Sequence, residues 1–134
     1  MSGPHVFISY SHEDSAWVRQ FAEALKDLDV AVWFDEWQIK AGDPLRDAIE
    51  QGLRDSDAIV AVLSAANILR PNVLFELGVA LGTGKRFIPI VSQDMNERQI
   101  PFDVRSRRYL KQESPEETAR EVAAAVKGEQ ESAT

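Results

Sequence analysis

Apolar positions along this chain alternate between two rhythms, short β-branched runs and stripes at helical spacing. His5-Val-Phe-Ile-Ser9-Tyr10 is β-branched and aromatic and predicts a first strand. Ser11-His12-Glu13-Asp14 has the S-x-x-D form of a capping box. Trp17, Val18, Phe21, Ala22, Leu25 and Leu28 then recur at helical spacing, which predicts a first helix to about Leu28. Val30 to Phe34 is a second strand. Asp35 to Gly42 is polar and reads as a loop, closed by Asp43-Pro44 as a helix N-cap with proline at the first helical position. Leu45, Ile49 and Leu53 form the buried face of the helix that follows. Asp57 to Leu63 is a third strand, apolar on both faces as in the middle of a parallel sheet.

Ser64 to Arg70 leads into an apolar helix over Asn72 to Leu81. Gly82 and Gly84 close it, with Lys85 and Arg86 where the helix dipole favours cations. Phe87 to Val91 is a fourth strand; Pro89 removes one ladder donor and is expected at an irregular or edge pairing. Ser92 to Val104 is a polar loop with room for a short helix. Arg107 to Leu110 suits a short edge strand whose charges guard it against aggregation. Ser114-Pro115-Glu116-Glu117 is a second capping box, after which Ala119, Val122, Ala123 and Val126 face the core. The expected domain covers residues 1–128, and 129–134 read as a polar tail or a linker to a further domain. No internal repeat is visible.

Strands alternating with helices imply an α/β fold, a parallel sheet with helices on both faces. In the five-stranded order 2-1-3-4-5, strands one and three flank the topological switch point, and ligands bind beyond their carboxyl ends. The chain delivers Tyr10, Ser11 and His12 there after strand one. Ser64 and the helix containing Glu76 follow strand three, and the Asp35–Gly42 loop overhangs the same side.

Composition narrows the functional classes. The 134 residues suit one domain with a core, and 44% are hydrophobic. The net charge is -7, from 22 acidic and 15 basic residues, so the chain is poorly suited to nucleic acid or anionic membranes. No cysteine is present, which excludes a thiolate nucleophile and thiolate metal sites. His5 and His12 offer no ligand spacing, so no metal site is expected. No apolar run approaches the ~20 residues of a membrane span, and the start of the chain lacks a signal pattern. The expectation is a cytoplasmic domain.

One charge stands inside the most apolar segment: Glu76, between Val73 and Leu81. A carboxylate there is costly unless it is paired, solvated in a cleft or used. Val73, Leu77 and Leu81 share one face, while Asn72, Glu76, Ala80 and Thr83 form a narrower, partly polar stripe. The plain alternative is a solvent-facing stripe with Glu76 in a surface ion pair. Its position after strand three, at the expected ligand crevice, speaks for the functional alternative. Other motifs fail. Gly78, Gly82 and Gly84 end a helix instead of joining strand to helix, so they are no dinucleotide fingerprint. Gly84-Lys85 is no P-loop, since Val79 stands where a glycine is needed and Arg86 where Ser or Thr is. No Ser/His/Asp constellation is legible. Asp35 and Glu36 are a carboxylate pair only if they are not simply solvated.

The ordered set of short segments resembles the Toll/interleukin receptor (TIR) domain family. Phe7-Ile-Ser-Tyr10 is similar to its first box, and Trp33-Phe34-Asp35 with Ala41-Gly42-Asp43 to its second box and mobile loop. Ser64 and Asn72 to Leu77 look like the segment carrying the glutamate of TIR enzymes. Phe87-Ile-Pro-Ile and Ile100-Pro-Phe-Asp are similar to later strands of bacterial members. The resemblance implies a flavodoxin-like fold and two kinds of work, scaffolding through TIR–TIR contacts or cleavage of NAD+ at the nicotinamide–ribose bond. In bacteria the cleavage often serves antiphage defence, with a sensor domain fused or recruited. By position, Glu76 matches the catalytic glutamate. Many enzymatic members carry tryptophan four residues earlier, where this chain has Asn72. The Pro-Asn-Val-Leu-Phe-Glu-Leu-Gly pattern is also similar to nucleoside deoxyribosyltransferases, which attack an N-glycosidic bond with a glutamate.

A single carboxylate suffices for NAD+. Its leaving group is a pyridinium that departs as neutral nicotinamide, so no general acid is required, unlike ordinary glycoside hydrolysis. An ionised Glu76 would stabilise the oxocarbenium-like ribose, bind its hydroxyls or attack the anomeric carbon. Positioning would come from Tyr10, Ser11, His12, Asp35, Trp37 and Asn72. Capping accounts equally well for Ser11, and capping or solvation for Asn72. Trp33 is expected in the core, and Trp37, in a polar loop, is the better candidate to stack on a base. No cofactor is expected besides NAD+ as substrate, and the expected partners are other TIR domains.

Overall fold

The computed structural model describes residues 4–64, 85–99 and 109–132. Five strands form one parallel sheet: β1 (His5–Ser9), β2 (Ala31–Trp33), β3 (Ala58–Leu63), β4 (Arg86–Val91) and β5 (Leu110–Lys111), in the order β2-β1-β3-β4-β5. Every pairing is parallel. The described helices are α1 (Ser15–Asp27), α2 (Asp35–Gln38), α3 (Leu45–Asp55) and α4 (Pro115–Ser132), with short 3-10 turns at His12–Asp14 and Glu97–Gln99. This is the flavodoxin-like order, in which β1 and β3 are neighbours joined through crossovers.

Alternate strand residues serve the two layers. Val6, Ile8, Val60, Val62, Ile88 and Ile90 meet Val18, Phe21, Ala22 and Leu25 of α1 and Ala119, Val122, Ala123 and Val126 of α4. Phe7, Ile59, Ala61, Leu63, Phe87 and Val91 meet Leu53 of α3, with Trp33, Ile49, Met95 and Tyr109 packed around them. The period of two in the strands sends neighbours to opposite faces. The i, i+3, i+4, i+7 spacing of Val18, Phe21, Ala22 and Leu25 makes one stripe on α1. All six residues of β3 are buried, so it is the centre of the sheet. The two edge strands are short, three and two residues, which leaves little open edge.

Several boundaries move. β2 ends at Trp33, and β5 is Leu110–Lys111, later than the expected Arg107 start; Arg107 and Arg108 lie outside the described residues. Asp35 opens a helical turn where a loop was expected. Pro44 is the N-cap of α3, one residue after the expected cap at Asp43, because the Asp43 carboxylate instead accepts the Lys40 N–H at 2.9 Å and closes the preceding turn. Ser11 does not cap α1: its hydroxyl donates to Asp14 at 3.0 Å, and the backbone there tightens into a 3-10 turn. The second box holds in part, since the Glu117 N–H donates to the Ser114 hydroxyl at 3.2 Å. The expected tail is helical as far as Ser132.

Pro89 pairs in register with Ala61 of β3. Along a parallel strand, successive residues turn their N–H and C=O to opposite neighbours. Ser92 N–H bonds to Leu63 of β3, and Val91 C=O accepts from Gln112 beside β5. Pro89 therefore turns its donorless nitrogen to the β5 side, where pairing starts only at Ile90. The helix ends are closed by side chains from elsewhere. Lys85 donates to the carbonyls of Leu53, Arg54 and Ser56 at 2.6, 3.0 and 2.5 Å, so it neutralises the C-terminus of α3. Lys127 donates to the Leu28 carbonyl at the end of α1. Past α1 the chain turns through Asp29, at φ 62°, with Val30 N–H bonded to Leu25 and Asp29 N–H to Lys26. That is a Schellman closure with aspartate in place of the usual glycine.

Candidate functional site

The chain leaves β1 at Ser9 and β2 at Trp33 on the same end of the sheet, because the two strands are parallel and paired. Tyr10 and Asp35 are therefore delivered side by side. Phe34 fixes the exit from β2: it is fully buried, its ring centre lies 5.5 Å from that of Tyr10, and the Trp37 ring stands nearly perpendicular to it with centres 5.2 Å apart. Beyond Phe34 the backbone closes at once into α2. Trp37 and Gln38 donate back to the Phe34 carbonyl, and the Gln38 side chain accepts the Phe34 N–H at 2.7 Å. Asp35 and Glu36 occupy the first turn, where the helix end favours negative charge.

The Tyr10 hydroxyl donates to Asp35 Oδ1 at 2.5 Å and lies 3.4 Å from Glu36 Oε2. Burial, then the Asp35 carboxylate, then Glu36 push the Tyr10 phenol far above its ordinary range, so it stays a proton donor. Arg19 of α1 donates from Nε to Glu36 Oε1 at 2.8 Å. Asp35 and Glu36 thus each have a partner, and Glu36 keeps access to solvent as well. Among the described residues no donor takes Asp35 Oδ2. A carboxylate oriented through one oxygen presents the other to a ligand hydroxyl, as acidic side chains do toward ribose in nucleotide sites.

The other expected site residues are distributed unevenly. Ser11 is buried and bonded to Asp14, one residue from Tyr10. His12 lies in the 3-10 turn that leads into α1. Trp37 is exposed, and the Lys26 ammonium lies 5.6 Å from its ring centre, so it packs toward the last turn of α1. Trp33 is half-buried and packs against the core, stacked on Phe7 with ring centres 4.6 Å apart. Ser64 follows the end of β3, beside Ser92, whose hydroxyl donates to Asp94. Glu76 and Asn72 lie outside the described residues. Arg19 was not anticipated; a surface cation in a helix has no sequence signature, and its partner is seventeen residues away. Among the described residues no group of three or more His, Cys, Asp or Glu side chains could hold a metal ion. Nor is any helix among them long and apolar enough to cross a membrane.

Comparison with known proteins agrees with this architecture. The chain is 44% identical over 73 residues to the 2′ cyclic ADP-D-ribose synthase AbTIR of Acinetobacter baumannii, an alignment covering 54% of this chain and 27% of that protein. It is 45% identical over 60 residues to the NAD(+) hydrolase TcpA of a Theionarchaea archaeon, covering 44% of this chain and 18% of the relative. The matched segment thus spans only 27% and 18% of the length of these two relatives. Among solved structures, the TIR domain of the Toll-related receptor TRR-2 of Hydra magnipapillata superposes with a TM-score of 0.67 at 20% identity, covering 79% of this chain and 82% of that one. At that identity the likeness speaks for the fold alone. The family model described as TIR domain matches residues 6–130. Nearly the whole chain is covered by that match, and the protein belongs to the TIR domain family.

Proposed function

We propose that this protein is an NAD+ nucleosidase that cleaves the nicotinamide–ribose bond, releasing nicotinamide with ADP-ribose or its cyclic form. The carrying observation is the Tyr10–Asp35 pair, formed where β1 and β2 end beside the switch point. It supplies an oriented acceptor for a sugar hydroxyl in a chain whose relatives are named for NAD+ chemistry. In this reading Glu76 stabilises the oxocarbenium-like ribose as neutral nicotinamide departs. Asp35 holds a ribose hydroxyl, and Tyr10 orients Asp35. Ser11, His12 and Asn72 line the approach, and Trp37 stacks on a base. NAD+ enters as substrate and no further cofactor takes part. Self-assembly with other TIR domains activates the enzyme in the cytoplasm, a fused or recruited sensor domain supplies the trigger, and the role is antiphage defence. Neither nucleic acid nor membrane is bound directly.

The test is nicotinamide release from NAD+, followed by chromatography at low and high protein concentration. Wild type should release nicotinamide, faster per site when concentrated, and Glu76→Ala should lower the rate at least about 100-fold, the scale of losing one electrostatic stabiliser. Undiminished release from Glu76→Ala would reject the assignment, and no release in any assembly state would reject the activity. A second reading, a non-catalytic interaction module, draws support from Trp37, the exposed large hydrophobic side chain on the formed turn α2. It expects substitutions in α2 to abolish partner binding while Glu76→Gln behaves as wild type. The third, a deoxyribosyltransferase-like enzyme, would show base exchange between deoxynucleosides.

A further inference from the structure

We propose that Arg19 is a phosphate-binding residue of this site and that Glu36 is its resident anion, displaced when a dinucleotide enters. The proposal rests on the nucleosidase reading for its ligand and on separate geometry for its residues. NAD+ carries an anionic pyrophosphate, and the chain carries a net charge of -7. In an acidic domain a cation near the phosphates offsets the repulsion that such a ligand meets. Arg19 stands one carboxylate away from the Tyr10–Asp35 pair: Glu36 meets Tyr10 through Oε2 and Arg19 through Oε1.

The chemistry of the pair suits exchange. Glu36 meets the guanidinium through Nε, and among the described residues no acceptor takes the hydrogens on its two terminal nitrogens. Those nitrogens form the planar fork that binds phosphate oxygens two at a time. The Arg19 and Glu36 side chains are 56% and 36% exposed, and ion pairs open to solvent to that degree are weak. A phosphate bound through two donors outcompetes a single carboxylate contact. Glu36 thus occupies the position that a phosphate oxygen would take. When it is released, α2 loses its side-chain tie to α1 at that point, so ligand entry and movement of α2 become one event.

Calorimetric titration of the wild-type chain with ADP-ribose, which has two phosphates, and nicotinamide riboside, which has none, tests this. Arg19→Gln should weaken ADP-ribose by about tenfold or more, the scale of a lost charge-assisted pair. Nicotinamide riboside should stay within about twofold, since it makes no phosphate contact. Arg19→Lys should fall between, because it keeps the charge and loses the fork. Glu36→Gln should tighten ADP-ribose and steepen its dependence on salt. The proposal is overturned if Arg19→Gln leaves ADP-ribose unaffected, if both ligands weaken together, or if wild type binds neither. NAD+ turnover separates the two levels. A rise in KM with unchanged kcat in Arg19→Gln supports the phosphate role. Turnover with Arg19-independent ADP-ribose binding removes that role and keeps the nucleosidase. Arg19-dependent binding without any turnover does the reverse.

Discussion

At the level of single residues, the site is held by hydrogen bonds between groups that the sequence keeps apart. Tyr10 and Asp35 are twenty-five residues from each other, yet the register of β1 on β2 brings them to 2.5 Å. Both were legible as candidates because each follows a strand at its carboxyl end. The bond between them was not, because it depends on where β2 stops and on α2 beginning at once. The partnering of Glu36 by Arg19 was likewise invisible. Tyr10 offers a test with a definite sign. Its phenol is pushed up in the folded protein, so the neutral form is favoured there and its stabilising contribution is complete below the unfolded value of about 10. That contribution is lost as pH rises above about 10, where the unfolded chain ionises first. Urea midpoints between pH 8 and 11 should therefore fall more steeply in wild type than in Tyr10→Phe. At pH 7 Tyr10→Phe should cost about 1 kcal/mol, the usual net worth of such a bond. Equal slopes in the two proteins would remove Tyr10 from the account.

At the level of elements, regular structure was readable and its terminations were not. Hydrophobic periodicity located β1, β3, β4, α1 and α4, because burial on one or both faces dictates the pattern. Ends are set by local competition between backbone and side chains. Asp43 was read as a cap and closes a turn instead, and the Ser11 hydroxyl donates to the Asp14 carboxylate. Lys85 was expected to serve the dipole of a helix read from the sequence before it, and its ammonium lies on the carbonyls ending α3. The contact between β2 and α3 was not predicted at all. Gly52 of α3 lies against the Trp33 indole so closely that a Cβ would stand 2.5 Å from its ring atoms. The ring cannot retreat easily, being stacked on Phe7. Gly52→Ala should therefore destabilise the fold by about 1–3 kcal/mol despite its better helix propensity. Trp33→Val should recover part of that loss in the double variant, as measured by denaturant unfolding. Additive losses would show that the two do not press on each other.

At the level of the whole molecule, α1 and α4, which cover the same face of the sheet, are tied to each other at both ends. The Trp17 indole N–H donates to the Glu113 carbonyl at 3.0 Å at one end, and Lys127 reaches Leu28 at the other. The parallel, doubly covered sheet was legible from the alternation of elements, and the strand order then followed from fold-level rules. Glu76 shows the limit of that reading, because an apolar segment with one charge states a need without showing how it is met.

The three tryptophans lie in three different elements. Trp17 and Trp33 are half-buried against Phe21 and Phe7, while Trp37 is exposed beside the Lys26 ammonium. Intrinsic fluorescence should accordingly contain one fraction readily quenched by iodide, which the ammonium attracts, and less so by caesium, which it repels. Trp37→Phe should abolish that fraction. Because α2 also carries Glu36, titrating ADP-ribose while following iodide quenching would reveal optically whether the turn shifts as the ligand arrives.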